Sequence, residues 1–335
     1  MVVTDENIKY VRSLVVPKDQ SQLNTDELNK EIKKHRKKIY SRLRFAILNA
    51  IPHEHAAILS IFGNPEYIPS RENPDSSIKY VKLQLLNGED MYVVLAGITG
   101  QGIAQAAAMT AQVQYKCRHV KKIILVGIAA GQPNLTNKEK DVRLGDIVVS
   151  NRILQYDHVK LDKDGTELRG DAIAPGDSGL MCTVDELRAC QELDIVNRTE
   201  RSLPWIEYIK QGEKSVRNAV RPDKTKDVNY EKRNYEEGLE YEKSDSEPYV
   251  HVGTIGSAST LLKHAEFRDK LHLNYKTIAY EMEGAGVAIA AASSGIDYLM
   301  VRGICDYADE NKDDAWQTYA SVCAAAFARA ILEAQ

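Results

Sequence analysis

Long apolar runs are missing from this 335-residue sequence. The longest uncharged ones, 123–131 and 284–292, are less than half of what a bilayer crossing needs, which excludes a membrane-spanning helix and a membrane partner. Residues 1–7 offer neither a basic start nor an apolar segment, so no secretory signal is expected. Cysteine is scarce: Cys117, Cys182, Cys190, Cys305 and Cys323 are odd in number and never closer than eight positions apart. That excludes a disulfide frame and a zinc ribbon and points to a reducing, cytoplasmic compartment. A surplus of positive charge is also lacking. With 44 Lys and Arg against 48 Asp and Glu the formal net charge is −4, so no broad field exists for wrapping nucleic acid, which is not an expected partner. No internal repeat is present.

What is there is ordinary globular composition, 43% hydrophobic and 27% charged, with ample length for a core. Residues 1–44 are polar, hold a helical stretch over 25–43 and carry a basic run at 33–38. They read as a helical arm that is either a solvated face or a docking and oligomerisation element, through which a regulatory partner could act. From Arg44 short apolar runs alternate with longer segments of helical period, the signature of an α/β layered domain spanning 45–335. Strands are expected at 45–48, 80–85, 92–96, 122–126, 146–150, 251–255 and 298–302. The alanine-rich stretches 101–115 and 283–293 read as helices whose small side chains permit close packing on a sheet. A charged insertion interrupts the pattern at 198–247. Its first part, 198–233, has ten Lys or Arg against six Asp or Glu, and 234–247 has six acids and one lysine. It reads either as an exposed insertion with its own helices or as a basic lid over an anionic substrate.

Two segments hold the chemistry. Glu281-Met282-Glu283-Gly284-Ala285 enters an alanine-rich helix, and Val301-Arg302-Gly303-Ile304-Cys305-Asp306-Tyr307-Ala308-Asp309 follows a strand. Carboxylates at a helix start and at a strand's carboxyl end lie where open α/β sheets place ligand-binding groups. Each also has a plainer reading: Glu281 and Glu283 as complements to a helix dipole, Asp306 or Asp309 as an N-cap.

Three further segments raise the specificity: Val126-Gly127-Ile128-Ala129-Ala130-Gly131, Gly145-Asp146-Ile147-Val148-Val149-Ser150, and Ala50-Ile51-Pro52-His53-Glu54 after the first strand. In order and spacing the five together resemble the purine nucleoside phosphorylase and nucleosidase superfamily, over about 45–190 and 248–333. The closest likeness within it is to methylthioadenosine/adenosylhomocysteine nucleosidases. Gln155-Tyr156-Asp157, Val250-His251-Val252-Gly253 and the run from Arg302 to Ala320 bring it closer still to the nucleosidase-like domains attached to fungal and bacterial immune proteins, some of which hydrolyse ATP or other adenine nucleotides. The resemblance implies a three-layer α/β/α fold around a central mixed sheet, cleavage of a purine N-glycosidic bond, a homo-oligomer, and no cofactor.

Breaking that bond develops positive charge on the sugar and negative charge on the departing purine, and the site must answer both. By the resemblance Asp306 is the acid that protonates the purine, a task that burial or a neighbouring carboxylate favours. Glu283 accepts hydrogen bonds from the ribose hydroxyls, an interaction that strengthens as the sugar becomes cationic. Met282 packs beneath the sugar or is an ordinary core methionine. Arg302 is structural or an orienter, and Ser257 and Ala258 pass the purine. Glu54 stands where the nucleosidases have the glutamate that deprotonates the attacking water. Hexameric phosphorylases carry an arginine two residues before the loop glycine, Gly127; Leu125 is there instead, which favours water as nucleophile. Ile128 replaces the family serine after that glycine. His53-Glu54-His55 has i, i+2 spacing and no third ligand nearby, so no metal is expected. The run Gly97-Ile98-Thr99-Gly100-Gln101-Gly102 lacks a following Gly-Lys-Ser/Thr and reads as a strand-to-helix turn abutting the sugar. Ile51 suits an apolar 5′ substituent, whereas the basic insertion suits a 5′-phosphate, and the reading favours a nucleotide. The rivals are a methylthioadenosine/adenosylhomocysteine nucleosidase, a phosphorolytic enzyme of the same fold, and a module that binds nucleotide without cutting it.

Overall fold

The computed structural model describes residues 30, 33–34, 37–67, 78–85, 88–163, 165–169, 173, 179–193, 203–234, 247–310 and 314–335. Most of the arm, the acidic stretch 235–246 and both edges of the insertion lie outside the described residues.

Eleven strands are found among the described residues: β1 Leu43–Asn49, β2 Glu66–Tyr67, β3 Ile78–Gln84, β4 Asp90–Gly97, β5 Lys122–Gly131, β6 Ile147–Gln155, β7 Val159–Asp162, β8 Gly165–Leu168, β9 Val250–Ser257, β10 Thr277–Glu281 and β11 Asp297–Asp306. The helices are α1 Pro52–Phe62, α2 Ile103–Lys116, α3 Gly179–Gln191, α4 Pro204–Ser215, α5 Ala265–Tyr275, α6 Gly284–Ser293 and α7 Gln317–Glu333. Nine strands form one sheet in the order β10-β9-β6-β11-β5-β1-β4-β3-β2, and β7 and β8 make a separate hairpin. The sheet is mixed: β4, β1, β5 and β11 run parallel, and β6 is antiparallel to β11. Strands β1, β5 and β11 are buried along nearly their whole length, as central strands covered on both faces must be. This is the three-layer α/β/α fold expected.

Every expected strand is present, but β5 and β11 run on to Gly131 and Asp306, five and four residues past their expected ends. Strand β10 carries no clear period-2 pattern and was not expected. It pairs in parallel with β9 and then turns antiparallel onto the end of β5, Tyr280 opposite Ala130. That second pairing curls the sheet and brings Glu281 over the carboxyl ends of β5 and β11.

The small-residue helices do more than lie on the sheet. α2 and α6 pack on each other where Gly286 abuts the backbone of Ile103. On the opposite face α7, buried except near its ends, packs on β5 and β11 and is covered by α1 and α4. The α4 helix belongs to the charged stretch, yet Trp205, Ile209 and Gly212 share one face that is buried, Trp205 edge-on to Phe327 at 5.1 Å. Burial of side chains this size contributes about 1.5–3 kcal/mol each, so residues 204–215 are part of the core layer. Among the described residues no helix is long and apolar enough to cross a membrane.

A Cβ at Gly286 would collide with the Ile103 carbonyl oxygen. Gly286→Ala is therefore expected to destabilise by about 1–3 kcal/mol through overpacking, despite the better helix propensity of alanine. Urea unfolding measures it; an unchanged or raised midpoint would show that the two helices can separate freely.

Candidate active site

The carboxyl ends of the parallel strands β1, β5 and β11 open into a crevice, the usual ligand position in an open α/β sheet. A cavity of about 650 Å³, open solvent at its mouth included, lies there.

Glu54 reaches this cavity from the first turn of α1. Pro52 occupies N1, where its missing N–H costs nothing. At N3, Glu54 turns back, and its Oε2 accepts from the backbone N–H groups of Ala50 at 2.8 Å and Ile51 at 3.1 Å. Its Oε1 accepts from the Ile128 N–H at 2.9 Å. The Ile128 contribution is thus a main-chain one, and the loss of a serine hydroxyl there leaves it intact.

Arg302, on β11, is fully buried and faces three carboxylates. Nη2 bonds Glu281 Oε2 and lies 3.4 Å from Glu283 Oε2, and Nη1 lies 3.7 Å from Glu54 Oε1. Its Nε and Nη1 are buried and donate to no protein acceptor among the described residues. Glu281 also accepts from the N–H groups of Glu283 at 3.0 Å and Gly284 at 2.8 Å, so it does complement the start of α6. Glu283 accepts from the Gly102 N–H at 3.0 Å through Oε1. Three buried carboxylates share one cation. Burial above all, then the charges of Glu281 and Glu54, push the Glu283 carboxyl up to about 7 against the opposing pull of Arg302.

Asp306 ends β11 on the far wall. Its Oδ1 accepts from the Ala308 N–H at 2.9 Å, and the Cys305 thiol lies 3.3 Å from Oδ2. Ala308 adopts φ 52°, a left-handed conformation that costs a non-glycine residue roughly 1–2 kcal/mol.

Of the residues singled out in the sequence, Ile51, Glu54, Ile128, Met282, Glu283 and Asp306 line the cavity together. Arg302 and Gly127 stand behind them: a Cβ on Gly127 would strike Arg302 Nη1 and Glu54 Oε1. Ser257 and Ala258 are fully buried and off the cavity wall. The Ser257 hydroxyl accepts from the Ala285 N–H at 2.9 Å and so caps α6. Tyr156, Thr260, Leu261 and Leu262 line the wall nearby instead. Tyr156 is 6% exposed and packs closely on Gly256, where a Cβ would stand 3.2 Å from its ring. Tyr156 lies in the Gln155-Tyr156-Asp157 run without a site role of its own in the sequence, where a tyrosine at the end of a buried strand is the signal that marks it. No residue of 203–234 lines the cavity, and two of its arginines are engaged elsewhere: Arg221 lies over the Trp316 and Tyr319 rings, and Arg233 pairs with Asp141 and Asp227. The described part of the charged stretch thus contributes no wall to the cavity. Among the described residues no group of three or more His, Cys, Asp or Glu could hold a metal ion.

The profile of the phosphorylase superfamily matches residues 44–333. A nucleotide-binding leucine-rich repeat (NLR)-like protein of Hyaloscypha variabilis is 28% identical over 303 residues, 84% of this chain and 28% of that protein. The ATP nucleosidase Cap17 of Escherichia coli is 26% identical over 284 residues, 83% of this chain and 49% of that protein. The chain thus spans half or less of the length of these curated relatives. In fold it is similar to a mutant Helicobacter pylori MTAN solved with 5′-methylthioadenosine in its active site, with TM-score 0.54, 20% identity, and coverage of 87% of this chain and 98% of that one.

Because the folded chain keeps a proton on Glu283 that the unfolded chain loses near the ordinary value of 4.5, stability should fall as pH rises from there through about 7. Glu283→Gln should flatten the dependence of Tm on pH between about pH 5 and 8. Parallel Tm curves for the two proteins would show that Glu283 is not the titrating group.

Proposed function

Because the chain belongs to the phosphorylase superfamily, whose profile covers residues 44–333, we propose that it hydrolyses the N-glycosidic bond of a purine nucleotide, adenine being the base and ATP or AMP the substrate. The observation that carries hydrolysis over phosphorolysis is the Glu54 carboxylate. It already accepts the Ile128 N–H, and a phosphate dianion placed there would meet a negative charge where it needs a donor. Water has no such conflict. Held in the cavity against Glu54, it would lose its proton to that carboxylate as it attacks C1′.

Glu283 then takes the ribose hydroxyls. Glu54, joined by Glu283 in its ionised form, places negative charge beside the sugar as that sugar becomes cationic, a charge arrangement that favours the transition state over the ground state. Met282 packs under the ring. Asp306, on the opposite wall, protonates the purine as the bond breaks, and Tyr156 offers its face to the base. Ile51 and Ile128 flank the sugar.

Adenine nucleotide as substrate is supported by the name of the Cap17 relative. A second reading, a 5′-alkylthio nucleoside, is favoured by one specific observation: the described cavity wall includes Glu54, Glu281, Glu283 and Asp306 but no lysine or arginine. A triphosphate would therefore extend through the mouth. We place the activity in the cytoplasm, in a homo-oligomer, as the effector part of an immune protein regulated through the N-terminal arm.

The test is free base released from ATP, AMP, adenosine and methylthioadenosine, by chromatography, with and without added phosphate. Adenine from ATP or AMP at a rate indifferent to phosphate is the expected result. Release from methylthioadenosine alone would establish the second reading, and release only with phosphate would remove Glu54 as the base. Asp306→Asn should lower kcat by about 10²–10⁴-fold with nucleotide affinity, read by calorimetry, within a few fold; retained turnover would remove Asp306 from the mechanism.

A further inference from the structure

Tyr307 follows Asp306 directly and is held from two sides. Its carbonyl accepts from Nη1 of Arg268 on α5 at 2.5 Å. Its hydroxyl accepts from Nη2 of Arg233 at 2.8 Å and from the Leu144 N–H at 3.3 Å, and donates to Asp227 Oδ2 at 3.1 Å. Arg233 in turn bonds Asp227 through Nη1 at 2.8 Å and Asp141 through Nε at 2.7 Å. Tyr307 is 2% exposed, Asp141 is fully buried, and the Arg233 and Asp227 side chains are each 8% exposed. Burial first, and the charge of Asp227 next, hold the phenol well above its ordinary value, so it remains a neutral donor to Asp227.

Such a buried ionic network is a poor means of stabilising a fold, because desolvation consumes most of the Coulomb gain; what it supplies is geometry. The geometry here matters at one place. Immediately after Tyr307 the chain turns through Ala308 at φ 52°, and the Ala308 N–H fixes Asp306 Oδ1. A non-glycine residue stays in that conformation only when its surroundings over-determine it, and Tyr307, anchored at its carbonyl and its hydroxyl, is the adjoining part of those surroundings.

We infer that Arg233 and Asp227 are positioning residues, a strut from the charged stretch that braces Tyr307 so the 306–308 turn aims the Asp306 carboxyl at the purine. This gives residues 227–233, which touch no part of the cavity, a direct line to the chemistry. The inference rests on the reading of Asp306 as the general acid.

The experiment measures adenine release from ATP and from methylthioadenosine by the full chain, unaltered and as Tyr307→Phe, Arg233→Met and the double variant, with rates normalised to folded protein by circular dichroism. A misplaced general acid is expected to lower kcat by about ten- to a hundredfold in each single variant while KM stays within about threefold, and the double variant should be no slower than the worse single. A kcat per folded chain within about twofold of the unaltered protein in Tyr307→Phe would overturn the inference, whatever happened to Tm. If Arg233→Met does not fold, Tyr307→Phe, which keeps the ring, decides alone. Failure of the unaltered chain to release base from either substrate would instead refute the function, and the strut with it.

Discussion

Three carboxylates converge on the guanidinium of Arg302 in the interior of the protein, and the geometry of the site follows from that meeting. Each carboxylate arrives on a different element: Glu54 on the first turn of α1, Glu281 at the end of β10, Glu283 at the entry to α6. Bringing them together requires β11 to run deep enough to carry Arg302 and Asp306 on one strand, and β10 to fold across the end of β5. It also requires a glycine at 127, because any side chain there would occupy the space between Arg302 and Glu54. Removing the arginine would leave buried charges uncompensated, an error that typically costs about 3–5 kcal/mol.

The same cluster sets the electrostatics. Burial above all, then the charges of Glu281 and Glu54, raise the Glu283 carboxyl to about 7 against the pull of Arg302, so it exchanges a proton around neutrality, and the cavity wall it shares with Glu54 and Glu281 is acidic. An acidic wall repels an anionic nucleophile and favours a sugar that is becoming positive, the two conditions that the proposed hydrolysis sets. On the proposed reading the opposite wall meets the second charge problem, that of the purine, and there Asp306 sits at the start of a turn through Ala308, whose N–H it accepts. The two walls are joined by β11 itself, which holds Arg302 and Asp306 four residues apart.

Much of this was legible in the sequence. Strands β1, β4, β5 and β11 are near-continuous apolar runs, and the two glutamates of Glu281-Met282-Glu283, with Asp306 after its strand, announce a site at strand and helix ends. Other features left no local trace. β10 has no alternation because both of its faces are covered and its pairing is set by distant strands. Ser257 looks like a base-binding residue by position, yet its hydroxyl is spent on the α6 terminus, a choice fixed by tertiary geometry. The charged stretch reads as surface because its charges dominate composition, while its contribution to the core rests on Trp205, Ile209 and Gly212 at helical spacing. Arg233 likewise reads as one more basic residue, and only its placement beside Asp141, Asp227 and Tyr307 gives it a role.

The central claim is that Glu54 holds water and not phosphate against the sugar. Its most direct test is the identity of the sugar product when the chain acts on adenosine and AMP in saturating phosphate, followed by phosphorus NMR. The account predicts a sugar with a free anomeric hydroxyl and an unaltered inorganic phosphate signal; appearance of a sugar 1-phosphate would contradict it.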